Sequence, residues 1–147
     1  MKRTIISAIF GLLAMSTFAQ KDSTTFKAYL SNDEYEVYMN IDFYHNNLQV
    51  PHQEIFGEVP GYFGDVHDGR KWLITDAKIK GKKAKISLVN DYGSEDLVAE
   101  LTYKGNGEYL LEQKEGSDIK IARNRKWKKL PVKMTFINKK FKPEGKD

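Results

Sequence analysis

No cysteine occurs in the 147 residues, so no disulfide braces the fold and no thiol is available as nucleophile or lipid-anchor site. The chain has only four prolines, none in a Pro/Ser-rich linker, and it shows no internal repeat. Helical periodicity is missing too. The one long apolar run, Ile5 to Met15, falls well short of the roughly 20 residues that cross a bilayer. The three histidines, His45, His52 and His67, match no metal-ligand spacing. No serine sits in a recognisable nucleophile context. The sequence therefore implies no metal, no cofactor and no catalytic residue.

The N-terminus reads as an address. Lys2 and Arg3 precede the Ile5–Met15 run, and Thr17-Phe18-Ala19 supplies small residues before a cut. We expect residues 1–19 to be a cleaved signal helix, 20–25 a flexible lead-in, 26–141 one β-barrel domain and 142–147 a charged tail. Such a chain is exported to the periplasm or beyond, does not span the membrane after cleavage, and is not a lipoprotein. A domain of this size buries about two-thirds of its unfolded surface, enough for a core to hold the fold alone.

What fills that domain is period-2 alternation, the mark of half-buried strands. From Lys71 to Lys114 four such segments follow one another. Their inward sets are Trp72 and Ile74, then Ala77 and Ile79 after a change of phase; Ala84, Ile86, Leu88 and Tyr92; Leu97, Ala99, Leu101 and Tyr103; and Tyr109 and Leu111. The phase change predicts a bulge near Thr75 or Asp76. Gly81 and Gly105-Asn106-Gly107 mark tight hairpin turns. Earlier, Phe26, Ala28 and Leu30 form a short strand, and Glu34 to Tyr44 buries Tyr35, Val37, Met39, Ile41 and Phe43. A last strand carries Val132, Met134 and Phe136.

The fold class is all-β: a single antiparallel meander of about 8–10 strands closing into an up-and-down barrel. In outline it resembles the calycin barrels of lipocalins, although the first strand has no Gly-x-Trp signature. A two-sheet sandwich is the alternative.

Between His45 and Arg70 the pattern breaks. Pro51, Gly57, Pro60, Gly61, Gly64 and Gly69 interrupt aromatic and acidic residues, leaving one short strand within Glu54–Val59. This loop reads either as a flap whose Ile55, Phe56, Tyr62 and Phe63 plug an open end, or as a ligand-contacting loop.

Charge is divided unevenly. Residues 20–68 hold nine acidic and two basic residues, and residues 69–147 hold eleven acidic and twenty basic. Without Lys2 and Arg3 the net charge is +2, too balanced for the long-range attraction that nucleic-acid binders use. From Ile119 to Pro143 there is no acidic residue and there are ten basic ones. If strand phase holds there, Arg123, Arg125 and Trp127 continue the face of Ile119 and Ile121. Two arginines and an indole at a barrel mouth suit an anionic ligand; the other reading pairs the arginines internally with acids.

The expected function is an exported, non-enzymatic barrel that binds a small anionic or amphipathic ligand through Arg123, Arg125, Trp127, Tyr62, Phe63 and Glu54. A secreted or periplasmic interaction or inhibitor protein is the alternative, with a protein partner at the same surface. Third is a hydrolase using the loop carboxylates Glu54, Glu58, Asp65 and Asp68.

Overall fold

The computed structural model describes residues 24–91 and 95–139. The expected signal helix, Tyr92 and the charged tail lie outside those residues. Among the described residues are twelve strands and one 3-10 turn at Glu54–Phe56. Eight strands close into an antiparallel barrel: β1 (Lys27–Asn32), β2 (Val37–Asp42), β5 (Gly61–Asp65), β6 (Asp68–Lys80), β7 (Lys83–Asn90), β8 (Asp96–Gly105), β9 (Glu108–Gly116) and β12 (Lys133–Asn138). The remaining four form two inserted hairpins, β3–β4 (Leu48–Gln49 with Glu58–Val59) and β10–β11 (Lys120–Arg123 with Lys126–Lys129). Consecutive barrel strands are neighbours, so the barrel is up-and-down. Within the described residues no helix is long and apolar enough to cross a membrane.

An eight-stranded barrel is just wide enough for inward side chains to fill it. Here they do. Leu30, Met39, Ile41, Ile74, Ile86, Leu88, Leu101, Leu111 and Phe136 are at most 1% exposed. The bulge in β6 falls between Ile74 and Asp76, where the apolar set changes phase. One mouth is sealed by aromatics: Phe26 stacks on Phe43 at 5.7 Å and meets Tyr109 edge-on at 6.4 Å, and Tyr103 packs on Tyr109 at 4.9 Å.

The structure differs from the expected strand pattern at several points. The Glu34–Tyr44 strand starts only at Val37, because Glu36 adopts φ 56° in the preceding turn. The short strand expected within Glu54–Val59 is a 3-10 turn followed by two strand residues. Most of the supposed loop after Pro60 is barrel wall. In β5, Gly61 and Gly64 stand where neighbours leave no room for a Cβ: one at Gly61 would lie 2.5 Å from the Asn40 carbonyl oxygen, and one at Gly64 would lie 2.5 Å from the Tyr38 ring. The β3–β4 hairpin packs on the outside of this wall, where Val50 and Val59 cluster with Tyr62 and Leu73. It covers a flank and plugs no mouth.

Candidate functional site

At the mouth opposite the aromatic seal, β5 ends, β6 begins, β7 ends and β8 begins, and the β10–β11 hairpin stands over the opening. Apolar burial fixes the hairpin's base, with Ile119 0%, Ile121 4% and Leu130 5% exposed. Backbone and side-chain hydrogen bonds complete the attachment. Leu130 N donates to the Ile119 carbonyl at 2.9 Å, Ile119 N to Gln113 Oε1 at 3.0 Å, and Gln113 Nε2 to the Pro131 carbonyl at 3.1 Å.

Arg123 bolts the hairpin to the barrel. Its guanidinium donates to both oxygens of Asp65 (2.7 and 2.9 Å) and to the Tyr35 carbonyl (2.7 Å). The Asp65 side chain is 7% exposed, so the fork sits in a shielded place where bidentate, charge-assisted bonds are strong. The Asp65 bonds raise the Arg123 pKa above its ordinary value. This is the internal pairing with an acid, supplied by Asp65 of β5.

The turn Asn124-Arg125 has positive φ at both residues, 53° and 65°, as a two-residue type I′ hairpin requires. Its register sets Ala122 opposite Trp127 and Ile121 opposite Lys128. Trp127 therefore shares a face with Lys120 and Ala122, and the face of Ile121 and Arg123 turns to the barrel.

Between the hairpin and the barrel rim lies a cleft of about 290 Å³. Phe63, Trp72 and Ile121 give it an apolar floor, and Asp65, Asp68, Arg70, Lys71, Asp91, Glu95 and Lys120 supply charge. Arg70 lies 4.4 Å from the centre of the Trp127 ring and forks onto Asp68. Those side-chain hydrogen bonds hold the Asp68 carboxyl down to about 2. Asp91 Oδ2 accepts from Lys71 N at 2.9 Å and from Gln53 Nε2 at 3.0 Å. The cleft wall is thereby tied to the β3–β4 flap. Lys71, 9% exposed, donates its ammonium to the Gly69 carbonyl at 2.9 Å.

Of the residues singled out from the sequence, Phe63 and Trp127 line this cleft. Arg123 adjoins it through Asp65. Arg125 stands at the exposed hairpin tip. Tyr62 points to the outside of the barrel under the flap, and Glu54 lies in the exposed 3-10 turn. Asp65 and Asp68, named from the sequence only as hydrolase carboxylates, line the cleft too, and Arg70, Lys71 and Lys120 were not singled out at all. A signal existed: Asp68-Gly69-Arg70-Lys71 places alternating charge directly before the apolar Trp72–Ile74 segment, as at a strand entering a barrel from its rim. No group of three or more His, Asp or Glu among the described residues is arranged to hold a metal ion.

Comparison with protein-family models, with curated proteins and with solved structures finds no match to this chain.

Proposed function

We propose that this protein is an exported, non-enzymatic binding module that holds a small anionic or amphipathic ligand in the cleft between the barrel rim and the β10–β11 hairpin. The observation that carries the reading is the cleft's composition: an apolar floor of Phe63, Trp72 and Ile121, with cationic Arg70, Lys71 and Lys120 set among the carboxylates of Asp65, Asp68, Asp91 and Glu95. Concave apolar sites with a few placed polar groups are where small ligands bind. The hairpin contributes Lys120, whose charge no carboxylate among the described residues meets, while Arg123 is already paired with Asp65 and Lys129 with Asp118.

A hydrolase reading has less to stand on. It needs one carboxyl kept protonated near neutral pH, whereas Arg70 drives Asp68 the other way and Arg123 occupies both oxygens of Asp65. The interaction-protein reading rests on one feature, the 3-10 turn that presents Ile55 at 91% and Phe56 at 44% exposure. A partner captured by the wild type and equally by Ile55→Asp would remove it.

Ala122 lines the cleft, and Ala122→Trp would fill it. Native mass spectrometry of the protein purified from its own cells should show a discrete bound mass that the Ala122→Trp variant lacks. Equal bound mass on both proteins would place the ligand elsewhere and end this reading.

A further inference from the structure

The two walls of the cleft differ in what they ask of a ligand. On the hairpin side Lys120 has no carboxylate partner among the described residues, its cross-strand neighbour Lys129 being the one that reaches Asp118 at 3.4 Å. An anionic group fits there. On the barrel side the balance is reversed, because acceptors outnumber donors. Glu95 takes one long side-chain hydrogen bond, 3.4 Å from Asn90 Nδ2. Asp91 Oδ1 and Gln53 Oε1 are buried with no hydrogen-bond donor among the described residues. An anion with a plain hydrocarbon body would lay that body against the Asp91 and Glu95 carboxylates that line this wall, without donating to them, a costly arrangement. Between the walls Trp127 is 59% exposed even with Arg70 over its ring, leaving indole surface for a flat partner.

We infer that the ligand class is a hydroxylated organic anion, a sugar acid of the hexuronate type. Its carboxylate pairs with Lys120, the C–H face of its ring packs on the open part of Trp127, and its hydroxyls donate to Glu95. Each of these contacts uses a different property of the ligand: charge, ring and donors. A fatty acid offers only the first, and a neutral sugar only the other two.

This inference rests on the proposed cleft reading and deepens it. The test is isothermal titration of the protein with oligomers of glucuronate, galacturonate and mannuronate, set against maltotriose and decanoate. At least one uronate oligomer should bind about tenfold or more tightly than both comparators. Lys120→Gln and Glu95→Gln, each a change of charge at a cleft-lining residue, should each weaken that oligomer about tenfold, the size of a hydrogen bond to a charged group. Tightest binding by decanoate would overturn the sugar-acid inference and leave the cleft reading intact. Maltotriose binding as well as the best uronate would overturn the requirement for an anion. Binding of none of the five would overturn the inference and the cleft reading together.

Discussion

Arg123 and Arg125 are two residues apart and do opposite things, and the backbone between them is the reason. Arg123 ends a strand with its side chain turned to the barrel, where Asp65 and the Tyr35 carbonyl take its donors. Arg123→Ala would leave a buried carboxylate unpaired, and we expect a loss of about 3 kcal/mol in urea unfolding; a loss below about 1 kcal/mol would show that water replaces the guanidinium. Arg125 occupies a left-handed turn position that glycine fills without strain. Arg125→Gly should therefore stabilise the protein by about 0.5–1 kcal/mol, and should lower affinity for an anionic ligand if the tip takes part in binding. Asp68 governs acid behaviour at this rim. Its carboxyl lies at about 2 in the folded protein against an ordinary value of 3.8, so its contribution is present above about pH 4 and is lost as pH falls toward 2. Asp68→Asn should flatten the stability curve across that window, and an unchanged curve would refute the role given to the Arg70 fork.

At the scale of elements, the strands that alternate cleanly were readable and the one rich in glycine was not. β7, β8 and β9 carry Ala84, Ile86, Leu88, Leu97, Ala99, Leu101, Tyr109 and Leu111 inward, as their period-2 pattern requires. β5 reads Gly-Tyr-Phe-Gly-Asp, and glycine in a sequence signals a break. In the barrel the same glycines mark close approach, to the Asn40 backbone at Gly61 and to the Tyr38 ring at Gly64. A single sequence cannot separate these causes, because the neighbour that demands glycine lies on another strand. Gly61→Ala should cost about 1–3 kcal/mol through displacement of β2, measured by thermal or urea unfolding; a neutral substitution would mean that the β2–β5 pair relaxes freely. The site was half legible for a related reason. Phe63 and Trp127 are conspicuous side chains, whereas Asp68, Arg70 and Lys120 gain their significance only from the hairpin register that sets Lys120 and Trp127 on the cleft face.

At the scale of the whole molecule, a filled eight-stranded barrel leaves its interior to packing, and the cleft lies at its rim. The aromatic seal of Phe26, Phe43 and Tyr109 closes one mouth; the other is roofed by a hairpin held at its base and by Arg123. Closure itself is lightest at the seam, where β1 meets β12 through Leu30↔Asn138 and Ser31↔Ile137, with Asn32 Nδ2 reaching the Thr135 carbonyl at 2.9 Å. The proposed binding of a small anion at the hairpin mouth, rather than inside the barrel, can be followed residue by residue through amide and indole chemical shifts. The probe is an amphipathic aryl sulfonate, 8-anilinonaphthalene-1-sulfonate, titrated into the isotopically labelled protein under native conditions. We predict saturable shifts at the Trp127 indole N–H, Arg70, Lys120 and Ile121, with Phe26, Ile86 and Tyr109 unmoved. Shifts centred on Phe26 and Tyr109, or no saturable shifts at the mouth, would contradict it.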